Sequence, residues 1–535
     1  MTELLILPCP PGFSITNALY CTCAPSLLKR GLQCNITEQT IERKGTVWVS
    51  ITSPGNVSDN FLAHDHCPFD YCSASTMKVI LSDPDKQCMY NRSGILCGQC
   101  GTDLSAVFGS SKCKKCSNRW ISLLAVFMVA GIVLVAFLIF FNLTVSIGTI
   151  NGLIFFADVV QVNRSTFFPP VSASPFLSVI QNALSLFIAW LNLDLGVELC
   201  FYDGMTMVDR VWLQFVFPLY IWTLVGIIIY AARHSILIVK ILGSSPISVL
   251  ATLFLLSYAK LLQTTISIFS FTDLTFPDKS VSHCWLLDGN IVMASGRHIP
   301  LLVIALAFSV FFIIPFTLML IFAQCIQAQS GNGLFDKQWI CNIIPLLDAY
   351  QIPYNSNFRY WTGLLLVVRI ILFLAFAVNA LGDPKINLLI ITTMVISLLT
   401  LNVHLGHAYK SRLLNLIESS FIINLGVLSL WSSFIAKDST KSVESQLIVS
   451  SLMIGLAFVK FMLILSYHIY LLLKRKEMLQ YLRCGCKFCR RDGYVKLVNE
   501  DDETGDEEPV GVVAINASPL TTKIVLTDSL TAEKN

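Results

Sequence analysis

Residues Phe176 to Leu199 read FLSVIQNALSLFIAWLNLDLGVEL, an apolar run of membrane-spanning length that carries Asn182, Asn192, Asp194 and Glu198. A lipid-facing helix has no use for such groups, so the reading of the whole chain turns on where they go. At ~100° per residue, Ser178, Asn182, Ser185, Ala189, Asn192 and Gly196 share a helix strip roughly 80° wide. Strips of small and amide side chains pack against neighbouring helices. Asp194 and Glu198 are spaced i, i+4 on another face near one end, where burial in lipid is costly without partners or water. Two readings stand: a polar packing seam with its acids in the headgroups, or an acidic mouth to a polar pathway.

Composition extends the membrane reading to the rest of the chain. Of 535 residues, 54% are hydrophobic and only 13% charged, with a mean hydropathy of +0.67, whereas soluble domains carry about 25% charged residues. The pattern predicts an α-helical polytopic membrane protein with membrane lipids as its surroundings. A formal charge of +3 is too small to argue for nucleic acid, and no stretch reads as a DNA- or RNA-binding module.

Residues 1–118 differ in kind. They hold 11 of the 18 cysteines and three sequons, at Asn35, Asn56 and Asn91. That combination predicts an oxidised, glycosylated extracellular module. The spacing of Cys97, Cys100, Cys113 and Cys116 suits a zinc ribbon in a cytosolic protein, but here it favours disulfides, because small secreted modules use bridges in place of a core. Patches such as Thr46-Val-Trp-Val-Ser-Ile51 alternate and predict short strands. Eleven is an odd number, and the first residues, MTELLILPCPPGF, lack a signal-peptide core. A longer natural N-terminus carrying the signal and a further cysteine is the expectation.

Residues 119–473 form the predicted bundle. Apolar runs at 120–141, 176–199, 211–232, 247–271, 299–324, 360–381, 386–406, 413–435 and 447–473 predict nine spans. Ser146 to Gln161 would break their parity; its Gly148, Gly152, Asn151 and Asp158 suit a re-entrant element buried in protein. An N-terminus outside and a C-terminus in the cytoplasm, at the plasma membrane, follow from the module. The clusters Arg233/His234/Lys240, Lys337/Arg359, Lys410/Arg412 and Lys474-Arg-Lys476 then all lie inside. The sequon at Asn163 stays inside and unmodified. Cys200 and Cys284 both face outside, which predicts a bridge between them.

Lys260, Arg369 and Lys460 lie too deep in their spans to snorkel. Asp158, Asp194, Glu198 and Glu418 are the acids available to them, and Asp158 is the preferred partner of Lys260. The candidate site is therefore Asp158, Asp194, Glu198, Lys260, Arg369 and Lys460, lining a polar pathway or forming buried ion pairs. His404 and His407 sit at a span end and read as interfacial. No enzyme signature or cofactor motif is present, and Asp194 with Glu198 lacks an adjacent His or metal-ligand partner.

Residues 474–535 read as a cytoplasmic, mostly disordered tail. Cys484, Cys486 and Cys489 among cations are candidate lipidation sites, Glu500 to Glu508 is acidic, and Tyr494-Val-Lys-Leu497 has the form of an endocytic signal.

The block Asn91-Arg-Ser-Gly-Ile-Leu-Cys-Gly-Gln-Cys100, with Cys113-Lys-Lys-Cys116, Ile188-Ala-Trp-Leu-Asn-Leu-Asp-Leu-Gly196 and Leu253-Phe-Leu-Leu-Ser-Tyr-Ala-Lys-Leu261, resembles an uncharacterised family of invertebrate polytopic proteins with a cysteine-rich ectodomain. More distantly, the nine-span plan with Asp348-Ala-Tyr350, Pro353-Tyr354 and Arg359-Tyr-Trp361 is similar to TRP-like membrane proteins. That second likeness implies channel or lipid-handling activity. Two functions are thus expected: a channel-like or transport-like protein, or a receptor or adhesion protein whose module binds an extracellular ligand.

Overall fold

The computed structural model describes residues 13–489 apart from 16–20, 24, 29–30, 36, 39, 44–46, 52–60, 65–66, 69–70, 74–75, 81–82, 119, 169–174, 195–197, 235–245, 276–279, 330–336, 380–383, 405–406 and 436–441. Two units are present, 1–473 and 474–535. The first unit joins a disulfide-rich module to a helical bundle.

Short strands build the module: β1 Phe13–Ile15 with β2 Cys21–Cys23, β3 Gln33–Asn35 with β4 Thr40–Arg43, and β5 Trp48–Ile51 with β6 Phe61–His64. They continue as β7 Met77–Ile80 on β4, β8 Arg92–Ser93 with β9 Gln99–Cys100, and β10 Ser105–Ala106 with β11 Cys113–Lys114. The alternating patch expected around Trp48 is β5, with Trp48 buried. Sheets this small cannot hold together by themselves. Bridges Cys23–Cys34, Cys67–Cys72, Cys88–Cys97 and Cys100–Cys113 staple them, and Cys21 is also disulfide-bonded.

Among the described residues, seven helices are long and apolar enough to cross a membrane, not nine. The helices are α1 Trp120–Phe141, α2 Asn151–Val162, α3 Pro175–Leu191, α4 Met207–His234 and α5 Pro246–Phe269. Then come α6 Ile299–Phe308, continued through a π-turn, Ser309–Ile313, into α7 Ile314–Ile321, and α8 Lys337–Gln351. The chain closes with α9 Trp361–Asn379, α10 Pro384–His404, α11 Arg412–Ile435 and α12 Ser442–Cys489. The two runs that fall short are those at 176–199 and 386–406. The described part of the first is the apolar helix Ser178–Leu191, within Pro175–Leu191; that of the second is Ile386–Asn402, within a 21-residue helix, Pro384–His404.

The first shortfall has a local cause. After Leu191 the chain makes a paired capping turn in which Leu193 N–H donates to the Trp190 carbonyl and Asp194 N–H to the Ala189 carbonyl. Leu193 occupies the left-handed region at φ +52°, a strained choice for a branched side chain, and its burial offsets that strain. Asn192 Nδ2 donates to the Ile188 carbonyl (2.8 Å) and across to the Ala157 carbonyl of α2 (3.1 Å). Seven residues earlier on α3, Ser185 Oγ meets Arg164 Nη2, seven residues beyond Ala157. α3 therefore runs antiparallel to α2, and the two half-helices form a hairpin. α2 is buried at every position except Gln161, as an element enclosed by protein should be.

Between α5 and α6 a three-stranded sheet, β12 Phe271–Thr275, β13 Val281–Trp285 and β14 Asp288–Val292, reaches the module. Gly98 and Gly289 make that contact. A Cβ on Gly98 would lie 2.7 Å from backbone atoms of Asp288 and Gly289, and one on Gly289 would lie 2.7 Å from the Ile95 carbonyl oxygen. Ile95 N–H donates to Asn290 Oδ1, and Thr272 Oγ1 lies 2.9 Å from His64 Nε2. The module is seated on the bundle rather than tethered to it.

Candidate functional site

The chain from Asp194 to Met207, here called the strap, leads from the end of α3 to the start of α4, and its described residues are Asp194 and 198–207. Its outer part is sewn to the module. Phe108 and Leu199 exchange backbone hydrogen bonds (2.8 and 3.1 Å), Ala106 N–H donates to the Met205 carbonyl (2.8 Å), and Gly204 N–H donates to Ser105 Oγ (2.8 Å). Cys116 is bridged to Cys200. The expected Cys200–Cys284 bridge is therefore absent: Cys284 is a buried free thiol on β13, and burial pushes its pKa up. Strand pairing explains the difference. Leu199 on Phe108 places Cys200 beside Cys116, the odd cysteine of the module, while Cys284 stays on β13, opposite Thr272 of β12.

The inner end of the strap carries Asp194, whose Oδ2 lies 3.5 Å from Lys260 Nζ of α5. The expected Lys260–Asp158 pair is not formed. Asp158 belongs instead to Arg369 of α9, Nε to Oδ2 at 2.6 Å, with both side chains almost wholly buried. The reason is the hairpin: running α3 back against α2 delivers Asp194 to Lys260, while α2 packs on α9. Arg369 also lies 5.3 Å from the Phe155 ring. Its Nη1 and Nη2, and Asp158 Oδ1, have no hydrogen-bond partner among the described residues.

A second polar cluster sits at the end of the bundle away from the module. Glu418 of α11 accepts from Trp361 Nε1 (3.1 Å) and from the Tyr409 hydroxyl. The hydroxyls of Tyr409 and Tyr354 are 3.4 Å apart, and Tyr354 accepts from Asn151 Nδ2 (3.0 Å) and Thr362 Oγ1 (3.2 Å). Tyr354 and Tyr409 also form a backbone bridge, extended by Asn355 N–H to the Ala408 carbonyl and Lys410 N–H to the Pro353 carbonyl. The residues Tyr350, Tyr354 and Trp361, singled out in the sequence, thus plug this end of the helices. His407 Nδ1 lies 3.1 Å from Asn415 Nδ2.

Glu198 and Lys460 stand outside the two ion pairs. Glu198 is held at the module by Lys112 (3.0 Å) and Lys114. Partial burial pushes its carboxyl up, but the hydrogen bonds and charges of Lys114 and Lys112 outweigh burial and hold it below the usual carboxylate range. Lys460 of α12 donates to the Ser420 carbonyl of α11 (2.9 Å) and lies 5.3 Å from the Phe421 ring. Other polar bonds fix the same helix: Gln446 to the Thr166 carbonyl (2.6 Å), Asn424 to the Met453 carbonyl (2.8 Å), and His468 with Thr149 (3.2 Å).

Arg92 was not foreseen as a site residue. Buried beneath the module, it donates to the carbonyls of Ser111 (2.7 Å), Cys97 (3.2 Å) and Gly98 (3.0 Å) and stacks 3.6 Å from the Tyr71 ring centroid. It holds the Gly98 turn against β14; the block Asn91 to Cys100 was legible as a motif but not as a docking element. Asn35 and Asn91 are exposed, whereas Asn163 is buried with its amide on the Val159 carbonyl. Asn56 lies outside the described residues, as do Tyr494 and the acidic run. Cys484, Cys486 and Cys489 fall in the last turns of α12. The sulfurs of Cys67, Cys72 and Cys97 lie within 4.8 Å of one another, but as two adjacent disulfides, Cys67–Cys72 and Cys88–Cys97, which leave no thiolate for a metal.

Comparison with protein-family models, curated proteins and solved structures gives no match to this chain.

Proposed function

We propose that this membrane protein is a multi-pass receptor of the cell surface, with its disulfide-rich module outside as the ligand-receiving part and its C-terminal unit in the cytoplasm. The strap carries this reading. One short segment is covalently and hydrogen-bonded to the module at Leu199, Cys200 and Met205, and ends in the buried pair Asp194–Lys260. A ligand that shifts the module shifts the strap, and the strap ends on a charge whose partner lies inside the bundle. Such a relay needs two arrangements that a ligand can bias. The rival, a channel-like or transport-like pathway, is less well supported, because its intended lining is split among the module surface, two separate ion pairs and the α11–α12 seam.

The test is to cut the relay and watch the interior. In Cys116→Ala/Cys200→Ala protein, amide exchange over 188–194 and 256–264 should rise about tenfold while 361–372 stays unchanged. Equal protection in both regions would contradict the relay. In parallel, purified protein in vesicles should pass ions no faster than empty vesicles. A flux abolished by Lys260→Met would return the pathway to first place. Impermeant labelling of Lys112 on intact cells checks the orientation.

A further inference from the structure

Lys460 differs from the other deep cations. Its helix has an apolar stretch from Ser445 to Lys474 with Lys460 at its middle, and its ammonium meets the carbonyl of Ser420, eight residues or ~12 Å into the α11 span Arg412–Phe434. No lysine side chain reaches the headgroups from there. The inner seam of α12 is Leu447, Ser450, Ile454, Ala457, Ile464 and His468, all buried, at three- and four-residue steps apart from the seven between Ala457 and Ile464. Lys460 stands one position off that seam, on the flank, and is only half-buried. Its ammonium has three N–H groups, and one backbone carbonyl accepts from it. Among the described residues no carboxylate pairs with it.

Around it the surface is apolar and uncovered. Leu456 and Leu463, four residues before and three after Lys460, are exposed, and so are Leu416 and Ile423, which flank Ser420 in the same way on α11. A half-buried cation inside a span, with exposed aliphatic side chains one turn before and after it on α12 and one turn before and after its carbonyl partner on α11, has the form of a helix-docking surface with a charged centre.

We infer that this α11–α12 face binds the membrane-spanning helix of another protein, one that carries a carboxylate at mid-span. Charge and depth choose the occupant. A phosphate or fatty-acid headgroup stays at the interface, ~12 Å along α11 from the level of Ser420 and Lys460. A second copy of this chain has no free acid to offer at that depth: Asp158 is held by Arg369, Asp194 by Lys260, and Glu418 by Trp361 and Tyr409. An Asp or Glu in a foreign span would complete the ammonium's hydrogen bonds while Leu416, Ile423, Leu456 and Leu463 pack around it. The inference is independent of whether the module binds a ligand.

The test uses a synthetic single-span Leu/Ala helix with Asp at its centre, and the same helix with Ala there, each labelled for energy transfer to the full-length protein in phosphatidylcholine vesicles. The Asp helix should associate about tenfold more tightly than the Ala helix. Lys460→Met should remove that difference and Lys460→Arg should keep it. The intact Cys116–Cys200 bridge in each variant confirms folding. An Asp helix no better than the Ala helix, or one that binds Lys460→Met equally well, overturns the inference. Self-association of the wild-type protein that Lys460→Met abolishes would also overturn it, in favour of a second copy.

Discussion

Lys260–Asp194 and Arg369–Asp158 use the same chemistry at neighbouring places in one bundle, yet they are built differently. The first spans 3.5 Å with 7% and 13% of the two side chains exposed; the second spans 2.6 Å with 1% and 0%. Arg369–Asp158 joins two helices and fixes α2, a segment too short to cross a membrane, in the core of the protein. Lys260–Asp194 joins a helix to the end of a strap whose other end belongs to the module. One pair is a rivet and the other a joint. A charge buried between two helices locks packing, whereas one just past a helix end, near a chain segment bonded elsewhere, can be moved by whatever holds that segment.

The largest expected effect breaks the rivet. Arg369→Met or Asp158→Asn strands a fully buried charge or its partner and should cost ~3–5 kcal/mol, seen as loss of folded protein at the surface; the double change should recover part of it. Lys260→Met should cost less, about 1–3 kcal/mol, because its pair is looser and partly open. If the two single variants lose stability equally, the contrast fails. Gly98→Ala should cost about 1–3 kcal/mol by overpacking the module against β14, read as faster proteolysis between the module and the bundle.

The smallest effect is at Glu198. Its folded pKa lies below the ordinary value of 4.5, so its contribution is present above about pH 4.5 and is lost as pH falls through the folded value. Glu198→Gln should therefore change stability by less than about 0.5 kcal/mol near neutral pH, as exposed pairs do, and the difference from wild type should vanish on acidification. A difference that grows in acid would place Glu198 in a buried role after all.

The membrane class, the bridged module and the burial of Lys260 and Arg369 were legible because composition and run length report them directly. Pairing was not. It depends on where α3 stops, and nothing in Asn192-Leu193-Asp194 announces a stop: the left-handed position falls on Leu193, whereas at the end of α1 it falls on Asn142, a residue that accepts it readily. Reading through Leu193 turned a half-helix into a span. The Cys116–Cys200 bridge was missed because the odd count of eleven pointed to a cysteine further upstream. Cys200, just past the apolar run, supplied the partner through a two-residue strand contact too short to show periodicity.

The relay is tested most directly by two double-mutant cycles on unfolding stability, pairing Gly98→Ala in the module first with Lys260→Met and then with Arg369→Met. Sites that are not coupled add to within about 0.3–0.5 kcal/mol. The account predicts a coupling above that limit for Gly98 with Lys260 and additivity for Gly98 with Arg369. Additivity in both cycles, or coupling to Arg369 alone, would contradict it.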